Sequence, residues 1–238
     1  MWAKGLRRPM MTIRRKIFFL SAILLFFIGA THVQAQVKDF QSWWELELNK
    51  KLSNRLDLNG ELEQRFQNNS LNYSRTLASL GASYDLLDFL NVAGGARTIF
   101  LLDGEQQMHL RYRIHLDLAG SYKLSGFNLS LRTRMQYGFD ERLAFRYFSL
   151  NSTVNRNRIK GIYHIFGTKV DCFASVESWH GSNKEQQWLT YAMRYSLGAR
   201  YSLNFRSRFL LRYILDDEFN VINPEQLHIL VVGYSHIL

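Results

Sequence analysis

QMHLRYRIHLDLAGSYKLSGFNLSLRTRMQYGF, residues 107–139, is the stretch that decides the fold. Met108, Leu110, Tyr112, Ile114, Leu116, Leu118, Gly120, Tyr122 and Leu124 share one face of an extended chain. Between them stand His109, Arg111, Arg113, His115, Asp117, Ala119, Ser121 and Lys123. A helix would scatter this pattern round all its sides, whereas a strand sends successive side chains to opposite faces. After Ser125-Gly126 the alternation resumes in opposite phase. Phe127, Leu129, Leu131, Thr133, Met135, Tyr137 and Phe139 now alternate with Asn128, Ser130, Arg132, Arg134 and Gln136. A two-residue Ser-Gly link between two such runs is a β-hairpin signal.

The same period of two recurs along the chain. Leu56, Leu58, Gly60, Leu62 and Phe66 oppose Asp57, Asn59, Glu61, Glu63 and Arg65. Leu189, Tyr191, Met193, Tyr195, Leu197, Ala199 and Tyr201 oppose Thr190, Arg194, Ser196 and Arg200. Phe209, Leu211, Tyr213 and Leu215 oppose Arg208, Arg212 and Asp216. Weaker strands are expected over 39–52, 76–85, 90–100, 150–165, 168–180 and 226–238. Short turns (53–54, 86–89, 125–126, 166–167, 204–205) alternate with longer links (67–74, 101–106, 140–149, 181–186, 217–225). Short turns at one rim and long loops at the other are the pattern of a transmembrane barrel. The expected fold is all-β, an antiparallel up-and-down barrel of 10–12 strands. Eleven candidates are countable, but both termini on the periplasmic side demand an even number, so either segment 39–52, with Trp43 and Trp44, is not an ordinary wall strand or two strands are merged within 140–165.

A soluble barrel alternates too, but two features favour the membrane. The best runs are 13 to 18 residues long, against a soluble mode of about 5–6. Tyr112 and Tyr122, Phe127 and Tyr137, and Tyr191 and Tyr201 are each ten residues apart on the apolar face. Ten tilted strand residues rise roughly 25 Å, the height of a barrel's apolar band, and these six rings are expected at its two interfaces.

Composition agrees. Two prolines in 238 residues, where about twelve are usual, suit uninterrupted ladders. The net charge of +10 suggests nucleic acid until it is mapped. Lys4, Arg7, Arg8, Arg14, Arg15 and Lys16 precede residue 36 without an acid, which leaves 24 basic against 20 acidic residues beyond. Arg14-Arg15-Lys16, the apolar run Ile17–Ile28 and Val33-Gln34-Ala35 read as a signal peptide over 1–35. The run is short for a spanning helix, which needs roughly 20 apolar residues. Residues 36–238 then form one barrel domain, exported to the outer membrane of a Gram-negative bacterium. A single cysteine, Cys172, excludes an internal disulfide framework and a Cys-rich zinc site.

With the apolar face toward lipid, the polar face lines the lumen. Early strands supply Glu45, Glu47, Asp57, Glu61 and Glu63. Later ones supply Arg111, Arg113, His115, Asp117, Arg132, Arg134, Arg194, Arg200 and Arg212. An acidic wall facing a basic one suits a narrow pore for small zwitterionic or anionic solutes. It equally suits a closed interior of paired charges, since open channels belong to about sixteen strands or more. The one catalytic alternative is a lipid-modifying acyl hydrolase or transferase built on Ser175, Glu177 and His180, which needs serine and histidine within hydrogen-bond reach. A soluble periplasmic lipid-binding barrel is a third reading. No cofactor or metal site is expected. The expected partners are outer-membrane lipids and lipopolysaccharide, with the barrel-assembly machinery during biogenesis.

Several segments together carry a resemblance. They are Ala35-Gln36, Asp39-Phe40-Gln41-Ser42-Trp43-Trp44, Arg156-Asn157-Arg158, Phe173-Ala174-Ser175-Val176-Glu177 and Asn223-Pro224-Glu225-Gln226-Leu227-His228-Ile229-Leu230 with Gly233-Tyr234. The chain resembles the bacterial family known as domain of unknown function 2490. The resemblance implies an outer-membrane β-barrel and carries over no catalytic or binding residue.

Overall fold

The computed structural model describes residues 37–102, 107–139, 151–182 and 187–238. The expected signal peptide, and most of the links at 101–106, 140–149 and 181–186, lie outside the described residues. Eleven strands follow in order: β1 Val37–Lys51, β2 Leu56–Gln67, β3 Asn72–Leu87, β4 Leu90–Leu102, β5 Met108–Leu124, β6 Phe127–Phe139, β7 Asn151–His164, β8 Val170–Ser182, β9 Trp188–Ser202, β10 Ser207–Glu218 and β11 Glu225–Ile237. Each pairs antiparallel with its sequence neighbours, and β1 closes the barrel against β11.

That closing pair is parallel, with Trp43 opposite Val231 and Glu45 opposite Gly233. It corrects the expectation of an even count with both chain ends on one side. Segment 37–51 is a full wall strand, paired on both edges, and 151–164 is one strand. An odd number of alternating strands can close only through a parallel pair. The start of β1 therefore lies at one rim, where Val37 N–H donates to Pro224 O. The end of β11 lies at the other, where Leu238 N–H donates to Asn49 O.

Turn chemistry sets the hairpins. Gly126 carries φ +74 in the Ser125-Gly126 link, a conformation that an L side chain enters at a cost of about 1–2 kcal/mol. The link expected over 67–74 is tighter than that. Only residues 68–71 lie outside strands, with Asn68, Asn69 and Ser70 all at positive φ. The Asp39 carboxylate accepts from the backbone N–H of Asn68 (3.1 Å) and Asn69 (3.0 Å), which fixes this turn to β1.

The two faces divide by polarity. Leu80, Leu116, Tyr122, Leu131, Leu197 and Leu211 are more than half exposed, part of an apolar outer surface too extensive for an ordinary soluble monomer. Within it, β6 and β7 carry a polar patch. Thr133 donates to Asn157 Oδ1 (2.6 Å), Asn157 Nδ2 donates to Asn155 Oδ1 (2.7 Å), and Asn155 Nδ2 donates to Thr133 (3.3 Å). On the inner face, Trp43, Ile214, Ile229 and Val231 form a buried cluster at the β1–β11–β10 seam.

Candidate functional site

Among the described residues, the barrel interior concentrates the charged side chains. Strand alternation delivers the charges, and register decides their partners. Arg134 on β6 lies opposite Asp117 on β5 and meets it with two bonds, Nε to Oδ1 (2.6 Å) and Nη2 to Oδ2 (2.7 Å). Arg132 reaches the same carboxylate at 3.8 Å and donates to Glu177 Oε1 on β8 at 2.5 Å. Arg156 on β7 occupies the other Glu177 oxygen at 2.8 Å. Arg134, Asp117, Arg132, Glu177 and Arg156 thus form one continuous network over four strands. Arg97 holds both oxygens of Glu61 (3.0 and 3.1 Å) and donates to Ser79 (2.7 Å). Arg65–Glu63, Arg194–Asp216 and Arg212–Glu45 are further ion pairs.

Two tryptophans bridge the lumen. Arg65 (β2) lies over Trp43 (β1) with Cζ 3.6 Å from the ring centroid. Arg194 (β9) sits between Trp43 (5.5 Å) and Trp179 of β8 (5.0 Å). Arg156 (β7) lies over Trp179 at 3.9 Å. The stack Arg65–Trp43–Arg194–Trp179–Arg156 alternates cation and ring, each contact within the range of cation–π attraction. Its ends are on β2 and β7, opposite walls of the closed order, so it crosses the interior. Toward the short-turn rim lies a cavity of about 700 Å³, whose lining runs from Trp43 and Trp179 to Lys51, Asp57 and Arg208.

Glu45, Glu47, Asp57, Glu61 and Glu63 line this cavity, as do Arg113, Arg132, Arg134, Arg194, Arg200 and Arg212. Three residues expected in the lumen do not line it. Arg111 and Asp117 are buried, and His115 lies over Gly95, where an added Cβ would come within 2.8 Å of its ring. Sequence reading did not single out Trp43, Trp179, Arg97, Arg158 or Lys160 as inner-face residues. The signal was present on β7, where Val154, Arg156, Arg158 and Lys160 recur at period two. It was obscured because Asn155 and Asn157 occupy positions expected to be apolar.

Ser175, Glu177 and His180 do not assemble. Ser175 and Glu177 line the cavity, and Glu177 is occupied by two arginines. His180 is on the alternate face of β8, where its ring nitrogens bond Ser178 (2.8 Å) and Thr190 (2.8 Å). Among the interface aromatics, Tyr112, Tyr122, Phe127 and Tyr201 are exposed and Tyr137 is half-buried. Tyr191 is a correction. A register shift between Trp179 and His180 leaves it as the extra residue of a bulge, which re-aims a side chain. Its ring packs edge-on against Trp179 (centroids 6.3 Å, 77°).

A family model described as "Protein of unknown function (DUF2490)" matches residues 40–224. No curated protein matches the sequence. Among solved structures, a NanC porin is similar at 15% identity and TM-score 0.48, over 74% of this chain and 86% of that one. Outer-membrane expressed OmpT of Vibrio cholerae is similar at 11% identity and TM-score 0.39, over 72% of this chain and 60% of that one.

Proposed function

The chain belongs to the DUF2490 family of proteins of unknown function, and we propose that it is a small outer-membrane barrel whose charged lumen is blocked across its middle. The observation that carries this reading is the division of the wall. Leucines and aromatics stand exposed on the outside, while arginine–carboxylate pairs and the arginine–tryptophan stack occupy the inside. A closed barrel is one of two structures that satisfy every backbone group within a bilayer. The described residues contain no helix long and apolar enough to cross one. Lipids and lipopolysaccharide would surround the apolar belt, and the signal peptide would bring the chain to the assembly machinery.

In this reading the barrel is structural, or a pore held closed by its own side chains, and it has no catalytic role. Glu177 already serves two arginines, and His180 stands on the other face from Ser175. The test begins with the full chain expressed in a Gram-negative host. Recovery in the outer-membrane fraction, with a heat-modifiable gel band, is the expected result. Recovery in the soluble periplasm would overturn it. In a planar bilayer the purified protein should show no discrete conductance steps, and Trp43→Ala with Trp179→Ala should introduce them. Host phospholipid and lipid A profiles should be unchanged on expression. A change abolished by Ser175→Ala would favour the hydrolase reading instead.

A further inference from the structure

The ion pairs leave one part of the inner wall with more basic than acidic side chains. On the inner faces of β7, β8 and β9, Lys160, Ser175 and Ser196 lie side by side in register. Arg158 precedes Lys160 by one inner position on β7, and Arg200 follows Ser196 by two on β9. Phe173 forms the floor. Its ring lies over Gly198, where an added Cβ would stand 2.6 Å from Cζ. Lys160 Nζ (4.6 Å) and Arg200 Cζ (5.4 Å) both lean on this ring.

The acids nearby are engaged elsewhere or held back. Glu177, opposite Arg158, is taken by Arg132 and Arg156. Asp171, opposite Arg200, bonds His164 Nδ1 at 2.7 Å. Glu45 pairs with Arg212, and Glu47 bonds Asn49 at 3.0 Å. Arg158 Nε is buried with no hydrogen-bond partner. The acids that bear on this patch, Glu177 on Arg158 and Glu47 with Asp171 on Arg200, are shared with other partners, so an anion between the bases would complete their neutralisation.

We propose that Arg158, Lys160 and Arg200, with the hydroxyls of Ser175 and Ser196, form a binding site for a small free oxyanion of phosphate or carboxylate chemistry, entered from the short-turn rim. Three cations and two hydroxyls supply convergent donors, and charge-assisted bonds to an oxyanion are the strong class of hydrogen bond. Phe173 gives an apolar floor and Gly198 gives the room beneath it. The site deepens the chamber reading and rests on its charged inner wall, not on the block across the lumen or the membrane location. A conductance result can therefore fail without deciding the binding result.

The test is calorimetric titration of the purified full chain in detergent with inorganic phosphate, after the heat-modifiable band confirms folding. Saturable binding is expected, weakened about tenfold by Lys160→Met and by Arg158→Gln. Glu47→Gln removes an opposing charge and should tighten binding. This variant keeps the proposal testable if the arginine or lysine variants fail to fold. Wild-type protein that takes up no phosphate, or variants that bind it as the wild type does, would overturn the site. Dihexanoyl phosphatidic acid distinguishes the source. Lipid binding that exceeds phosphate binding and survives Lys160→Met would place recognition on the outer face and overturn the free-solute proposal.

Discussion

Single residues in the lumen differ sharply in what their loss should do. Glu177 is almost fully buried and pairs with both Arg132 and Arg156. Breaking a buried pair by removing one partner typically costs 3–5 kcal/mol, because the remaining charge stays desolvated. Glu177→Gln should therefore lower the urea midpoint of the heat-modifiable form strongly. Glu61→Gln should lower it much less, because the Arg97–Glu61 pair is partly exposed and such pairs contribute about 0–1 kcal/mol. Equal shifts would mean that water reaches both sites alike. In this contrast Glu61 and Arg132 were legible as inner-face residues from alternation, since period two assigns a face to each residue, whereas Arg97 and Arg156 lie on strands whose alternation is weaker. Their partners were not legible, because pairing depends on register between strands. The tryptophans of the central stack were invisible for a related reason: Trp43 and Trp179 obey the alternation but look like interface aromatics until the face is known.

Strands were legible in proportion to how cleanly both their faces kept phase. β5 and β6 alternate without a break, and the structure places them at Met108–Leu124 and Phe127–Phe139 around Gly126. β7 was weaker in sequence because its outer face holds Asn155 and Asn157 where lipid-facing strands hold leucines. Those amides and Thr133 satisfy one another, which lowers the penalty for polar groups in an apolar setting without removing it. The combined change Thr133→Val, Asn155→Leu and Asn157→Leu should raise the temperature at which the folded gel band is lost. A lowered temperature would show that this patch does not face hydrocarbon. β9 shows the opposite limit. Its alternation is regular on paper, yet the bulge at Tyr191 turns one aromatic inward, and nothing in a period-two pattern marks a bulge. Gly126→Ala tests the turn itself. The positive φ alone should cost about 1–2 kcal/mol, and the added Cβ would also meet the Phe166 ring at 2.6 Å.

Closure is a property of the whole molecule and leaves no trace in the alternation of any one strand. Period two reports which face a residue takes but not whether its neighbour runs the same way or the opposite way. The antiparallel run β1 through β11 follows from consecutive hairpins, and the odd count then forces β1 to meet β11 in parallel. That seam also carries the buried Trp43, Ile214, Ile229 and Val231 cluster, so apolar packing supports the pair that the hairpin logic cannot. The register makes the closure testable. Ser42 lies opposite Leu230, and paired strands bring Cα atoms within the usual disulfide range of about 4.4–6.8 Å. In a Cys172→Ser background, Ser42→Cys with Leu230→Cys should form an intramolecular disulfide on mild oxidation and keep the folded band resistant to heat. Ser42→Cys with His236→Cys places the second thiol six residues along β11, roughly 20 Å away in a strand, and should stay reduced. An antiparallel seam would pair Ser42 with a residue set by a different sum, and a twelve-strand wall would separate β1 from β11 altogether. In either case the first pair would fail to close, and the barrel would need a different count.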